Sequence, residues 1–524
     1  MSRRFSRRSL LRRSGIAAAG LGLWGCRGEP GEPDADALSQ GLPAEYAAAL
    51  LPEAARPDGV LDLFLLGGLN PFDTFYVVPE YGVPEPGSGG QGQGGPNGDV
   101  GQMWWAFQEG QDSIPDWHAR CGGGDRPLLV PFGTDALGMT VNLGPFLYPL
   151  RDRPDILSRM RILVMRHGET THQSGVPFAL CGHRRNTPRL AGTGVHVEAH
   201  LRGLEGVSSV PRSYVFLPGL SDLSGLNADA AAATGLQRAS ARPLTLRLGP
   251  EGVNTDQLLR TIVGGNRSAI DRTVDLYTQR YAGRLVAPDG RPIRSEQFDD
   301  YAAARAGLLT TPDAVGLLSP EALAAREGQE CDQHSGTDFT GMGLQAAVEL
   351  LTHPTSPARY VTSVDGGLAP ASGGGAYDTH FFHVQESARN VVHMSRELVN
   401  RINEPGEGDP RKLDLDRHLV LLTTEYGRSP LPIAGGLDHW PYGYVVIAIG
   451  GPVTEDHSGI IGAIDGDAYA TSWFTPGDQR AALLLALGIW PFSDRSFAVG
   501  DISAGATELD CAMFLREELW GYRS

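Results

Sequence analysis

Lysine is almost missing from this chain of 524 residues. Its single copy, Lys412, lies in the Pro-Gly-Glu-rich stretch Glu404–Lys412, and the formal net charge is −17. A Schiff-base mechanism would have only that residue to use, and no P-loop signature is present to cradle phosphates. No basic footprint occurs outside the N-terminus, so nucleic acid is not an expected partner. No apolar run reaches the roughly 18 residues that a membrane helix needs, so no spanning segment is expected in the mature chain. A G-x-S-x-G elbow is also missing, which argues against an α/β-hydrolase. G-x-G-x-x-G occurs at Gly20, Gly22 and Gly25 and at Gly87, Gly89 and Gly92. Neither copy follows a strand and opens a helix, so dinucleotide binding is not expected.

The first 26 residues read as an address. Arg3, Arg4, Arg7, Arg8, Arg12 and Arg13 precede the short apolar run Ser14–Trp24, and Ser6–Arg12 reads as a twin-arginine export signal. Leu23-Trp24-Gly25-Cys26 is similar to a lipoprotein cleavage box, which leaves two outcomes: a lipid on Cys26 that attaches the protein to a membrane, or ordinary cleavage. Removal there would take the net charge from −17 to −23. The expected location is the periplasm, the outer membrane as a lipoprotein, or the outside of the cell. In such an oxidising compartment Cys121, Cys181, Cys331 and Cys511 allow three pairings, with one or two disulfides expected. Their wide spacing, without a C-x-x-C pair, argues against a zinc-thiolate site.

The remainder divides into a flexible tether over 27–58 and one large domain over 59–524. That domain carries a Gly-rich loop at 82–100 and an inserted cap at about 200–330. Five apolar runs read as buried strands: Val60–Gly67, Arg161–Arg166, Arg359–Val364, His418–Thr424 and Tyr444–Ile449. Helical patterns occupy Thr340–Leu351, Phe382–Ile402 and Gly477–Leu487. Strands alternating with helices predict an α/β fold, a mostly parallel sheet with helices on both faces.

In such a sheet, ligands bind beyond the carboxyl ends of the strands, and the ionisable residues gather there. Asp73 follows the first strand. His167, Thr171 and His172 follow the second, Asp378 and His380 the third, and Glu425 and Arg428 the fourth, while Asp438 and His439 stand just before the fifth. Carboxylates beside imidazoles suit Zn, with Mn or Mg as alternatives. His383 reads as a support for the ligands or as core. His196 and His200 have helical metal-pair spacing but not the H-E-x-x-H order, and are expected on a solvated helix face.

Four motifs in order then carry a resemblance: G-G-x-x-x-x-D-T-F at Gly67–Phe75, Y-D-T-H at Tyr377–His380, T-E-Y-G-R-S-P at Thr424–Pro430 and D-H-W-P at Asp438–Pro441. From about Val60 to about Trp490 the chain resembles the domain-of-unknown-function 1501 family of exported bacterial proteins, which is similar in fold to the alkaline phosphatase and sulfatase superfamily. The resemblance implies that Asp73 bridges toward a second metal, and that Asp378 and His380 hold one ion. Glu425 would be a strand-end ligand and His439 the late histidine ligand, with Asp438 beside it as ligand or support. The nucleophile would stand at a helix N-terminus, at Thr171-His172. Glu425-Tyr426 replaces the superfamily's Asp-His, and Asn70 stands where relatives have Ser, His or Asp, which leaves one- and two-metal centres open.

The expected function is an exported metal-dependent hydrolase of phosphate or sulfate esters, acting on a small-molecule or glycan ester. Arg428 would clamp a substrate oxygen or form a salt bridge. The rival expectation is an inactive cell-envelope lipoprotein on the same fold, binding a glycan or surface partner.

Overall fold

A computed structural model describes residues 42–81, 114–184, 338–354, 357–368, 377–433, 436–492 and 497–523, with short pieces between 185 and 337. The export signal, Cys26, the Gly-rich loop at 82–100 and most of the expected cap lie outside the described residues.

The main sheet draws on β1 (Gly59–Leu65), β2 (Met160–Met165), β3 (Tyr214–Leu217), β4 (Leu244–Thr245), β5 (Tyr360–Asp365), β6 (His418–Thr423), β9 (Tyr444–Gly450) and β10 (Gly459–Ile461). Between β6 and β9 lies a separate antiparallel ribbon of β7 (Gly427–Ile433) and β8 (Gly436–Trp440). The sheet order is β10-β2-β9-β6-β1-β5-β3-β4. All neighbours are parallel except β9, which runs antiparallel to both β2 and β6. The architecture is therefore mixed α/β with a mostly parallel sheet.

Strands buried on both faces must be apolar at nearly every position. All of β1, β2, β5, β6 and β9 is buried, and helices cover the two sides. Leu61, Leu63 and Leu65 of β1 pack with α2 (Phe339–Leu351) and α3 (His383–Val399). Val60 and Phe64 pack on the opposite side with α1 (His172–Cys181) and α4 (Pro476–Ala486). Asp62 interrupts the apolar run of β1. It is buried and accepts from Thr423 Oγ1 at 2.7 Å, Tyr360 Oη at 2.8 Å and Arg480 Nη1 at 2.5 Å.

Two expectations are corrected here. The segment 42–58, predicted as tether, is folded onto the domain: Ala44–Ala49 is helical, Ala49 and Leu51 are buried, and the Leu51 N–H donates to Leu485 O. His196 is buried rather than solvated, and His200 lies outside the described residues. Of the three cysteine pairings, the structure has Cys121–Cys331, and it leaves Cys181 and Cys511 as buried thiols.

Candidate metal centre

The direction of β9 explains where the site forms. A parallel strand delivers its following residues to the carboxyl edge of the sheet, and an antiparallel strand delivers its preceding ones to that same edge. His172 after β2, Asp378 and His380 after β5, Glu425 after β6, and Asp438 and His439 before β9 therefore arrive together.

Four side chains converge. His172 Nε2 lies 3.3 Å from Asp378 Oδ2, and His439 Nε2 lies 3.3 Å from Asp378 Oδ1. His380 Nε2 is 3.0 Å from Asp378 Oδ1 and 3.1 Å from His439 Nε2. His172, Asp378 and His439 form one group able to hold a metal ion, and His380, Asp438 and His439 form a second. Donor atoms bound tetrahedrally at about 2.0–2.1 Å from zinc stand about 3.3 Å from one another; His172 and His439 each lie at that distance from one oxygen of Asp378, and one donor atom from each of the three lies within 4.8 Å of the others.

The far nitrogens of two imidazoles are already held. His172 Nδ1 is 2.8 Å from Glu425 Oε1 and 2.8 Å from Tyr426 Oη. His439 Nδ1 is 2.7 Å from the Thr170 carbonyl. An ionised carboxylate and a carbonyl only accept, so each Nδ1 donates a hydrogen, which leaves each Nε2, facing Asp378, as the atom that would bind an ion once it is deprotonated. His172 Nε2 is buried, and its approach to Asp378 has no hydrogen-bond geometry. Such a nitrogen fits a ligand better than a hydrogen-bond partner. The Tyr426 ring stacks on His439 at 4.4 Å between centroids and fixes its plane.

Charge completes the preorganisation. Burial works against ionisation of Asp378, but the close contacts of His172, His380 and His439 and the charge of Arg428 outweigh it and hold the carboxyl far below its usual range. Burial likewise opposes protonation of His172, yet its contacts with Asp378 and Glu425 lift it to about 9. An ion entering this group displaces protons, as metal ligands must be deprotonated.

Several expected roles change. Of the two roles open to Arg428, the structure has the salt bridge and not the open clamp: its guanidinium is fully buried and paired with Asp378. Nε donates to Gly68 O at 3.2 Å and Tyr377 O at 3.1 Å, and Nη1 to Leu437 O at 3.1 Å, while Nη2 donates to Gly67 O and Asp378 Oδ1. Arg428 thus positions Asp378. Glu425, expected as a ligand, belongs to neither metal group. It accepts from Gly67 N at 2.8 Å and supports His172. Asp73, expected to bridge toward a second ion, is also in neither group; its Oδ2 lies 2.6 Å from His383 Nε2. Thr171 stands where a helix-start nucleophile was expected, as the exposed N-cap of α1, with Ser174 Oγ 3.1 Å from its hydroxyl. Side-chain exposure is 39% at His380 and 55% at Asp438, against 13% at His172, so the centre opens on the His380 side.

Comparison with protein-family models, curated proteins and solved structures gives no match.

Two residues with no expected role as ligands shape the site's geometry. Gly67 has φ +118°, and a Cβ there would lie 2.2 Å from Asp378 N. Only glycine lets the end of β1 come this close to the ligand loop. His167 is buried between two backbone partners: Nε2 lies 2.7 Å from Glu425 O, and Nδ1 accepts from Glu169 N at 3.0 Å. Donating at one nitrogen and accepting at the other requires the neutral ring. Burial lowers its pKa from 6.5 to about 4. The folded state thus binds fewer protons than the unfolded state between these values. The stability is fully present above about pH 6.5 and is lost as pH falls toward 4, by about 3 kcal/mol. His167→Gln keeps a donor and an acceptor without titrating. Urea unfolding at pH 7.5 and 4.5 should show a smaller acid loss in the variant; equal losses would contradict this assignment.

Proposed function

We propose that this chain is an exported, metal-dependent hydrolase of phosphate or sulfate esters, related to the domain-of-unknown-function 1501 family and built on an alkaline phosphatase-like scaffold. The observation that carries the proposal is the meeting of His172, Asp378 and His439 at the carboxyl edge of the sheet, with both Nδ1 atoms already engaged. Zinc suits this nitrogen-rich set best, with manganese or magnesium as alternatives. The bound ion would polarise the ester and lower the pKa of an attacking hydroxyl or water.

The chain's own residues supply the rest. Glu425 and Thr170 fix the two imidazoles, Arg428 fixes Asp378, and the exposed side of His380 is where an ester oxygen enters. Small-molecule and glycan esters both fit an open entrance. The twin-arginine start supports export, and Cys26 supports attachment to a membrane through lipid. Among the described residues, no helix is long and apolar enough to cross a membrane.

One observation favours the rival reading, an inactive envelope lipoprotein that binds a glycan or surface partner. Arg428, expected either to clamp a substrate oxygen or to form a salt bridge, is committed to Asp378. Hydrolysis of 4-nitrophenyl phosphate and 4-nitrophenyl sulfate by the purified protein, with and without added Zn, Mn or Mg, separates the two. The hydrolase reading predicts metal-dependent release of nitrophenol from one ester, falling at least 100-fold in His439→Gln. Metal binding without turnover across a wider ester panel would favour the binding protein.

A further inference from the structure

Beside the metal centre lies a second constellation that the metal does not use. Thr379, between Asp378 and His380, has its Oγ1 2.7 Å from His383 Nδ1. On the other side of the ring, His383 Nε2 is 2.6 Å from Asp73 Oδ2 and 3.2 Å from Asn70 Nδ2. The shorter, charge-assisted contact sets the tautomer. Nε2 carries the hydrogen and donates it to Asp73, which leaves the Nδ1 lone pair to accept from the Thr379 hydroxyl. Asp73 and His383 are buried to within 1%. Asp73 Oδ1 is buried with no hydrogen-bond partner, and Oδ2 accepts a long contact from Ser387 Oγ at 3.5 Å besides the short one from the imidazole, so His383 is the nearest partner of the charge.

We propose that Thr379, His383 and Asp73 are a nucleophile, a general base and an orienting carboxylate, and that Thr379 rather than Thr171 forms the covalent intermediate. The proposal rests on the ester-hydrolase reading only for its substrate class. A hydroxyl is a weak nucleophile until an adjacent base takes its proton, and the base is effective when a third group holds its ring. Thr379 has both groups in line. Among the described residues, Thr171 Oγ1 has only Ser174 Oγ as hydrogen-bond partner.

The reaction would run in two halves. Thr379 Oγ1 bonds to the phosphorus of the ester while its proton passes to His383 Nδ1. The bond from phosphorus to the alcohol oxygen breaks, and the leaving oxygen takes the proton from His383. Water then attacks the threonine phosphate, giving a proton to His383. The bond from phosphorus to Oγ1 breaks, and Oγ1 recovers that proton as phosphate departs. Asp73 stays ionised throughout and stabilises the imidazolium.

The local backbone sets this arrangement. Phe382 has φ +51°, a conformation that bulky residues avoid. It turns the chain between His380, on the open side of the site, and His383, which begins the buried helix α3. Strain of this kind persists where the surroundings over-determine it, commonly at functional sites.

The test uses the full-length protein and a small fluorophosphonate, which reacts with an activated hydroxyl by forming an O–P bond and releasing fluoride and a proton. Peptide mass spectrometry locates the adduct, and the metal content of the same sample is measured. The proposal predicts an adduct on Thr379, lost in Thr379→Val and retained at that position in Thr379→Ser. Asp73→Asn keeps the side-chain shape, and should slow labelling about 100-fold or more while metal content and unfolding midpoint stay at wild-type values. A purely structural Asp73 would move those two readouts instead, and that result overturns its role. An adduct on Thr171, or none on Thr379 in a metal-loaded sample, overturns the proposal and leaves the metal centre standing. An adduct on Thr379 in protein that binds no metal upholds it and removes the metal reading.

Discussion

Arg428→Met should cost about 3–5 kcal/mol of stability and abolish metal retention together. The reason is the number of groups that depend on one guanidinium. The carbonyls of Gly67, Gly68, Tyr377 and Leu437 and the carboxylate of Asp378 all accept from it, at a side chain with no exposure. A thioether fills the volume but donates nothing, so buried acceptors lose their partner and Asp378 loses its permanently charged one. Arg428→Lys should rescue only a small part, since one ammonium cannot reproduce the planar fork that reaches three segments of chain. Urea unfolding and elemental analysis of the same preparations check both halves. A stable Arg428→Met protein that keeps its metal would show that Asp378 is placed by other contacts.

The second large effect is expected far from the site. Arg480 of α4 and Asp62 of β1 form a fully buried ion pair, completed by Tyr360 Oη and Thr423 Oγ1 on Asp62 and by Ala179 O on Arg480 Nε. Burial disfavours the charged guanidinium, but the Asp62 and Tyr360 partners outweigh it and push the Arg480 pKa above its ordinary value. Arg480→Met alone should destabilise by about 3–5 kcal/mol, because it strands a carboxylate in the middle of the sheet. Asp62→Leu/Arg480→Met removes both charges and should be less destabilised than the single variant. A double variant that loses as much as both single variants combined would mean that the pair does not act as a unit.

How far the chain could be read in advance follows from what is local. The five predicted strands lie within a residue or two of β1, β2, β5, β6 and β9, because a strand buried on both faces needs an unbroken apolar run. Strand direction left no such trace. Tyr444–Gly450 reads as apolar whichever way it points, and its reversal was visible only in Asp438-His439 preceding the strand rather than following it. The gathering of ionisable residues at one edge was legible from their positions next to those runs. The division of labour among them was not. Glu425 holds His172 across 253 positions and Gly67 across 358, and Arg428 reaches back 361 positions to the Gly67 carbonyl. Whether a carboxylate holds an ion or holds a histidine depends on such long-range pairings. Asp73 shows this most clearly: it follows the first strand as expected, but its partner is His383 of α3.

The structure also improves on the obvious ligand deletion. Removing Asp378 would strand the buried Arg428, so a loss of metal could reflect misfolding. His172→Gln/His439→Gln leaves the Arg428–Asp378 pair in place and removes two nitrogens that face Asp378.

The most direct test of the central claim is therefore elemental analysis of the purified full-length protein beside His172→Gln/His439→Gln, both expressed with metal supplied. The metal centre predicts about one equivalent or more of Zn, Mn or Mg in the wild-type protein and near none in the folded double variant. Wild-type protein that is folded, offered metal and still free of it would contradict the metal centre and the hydrolase built on it.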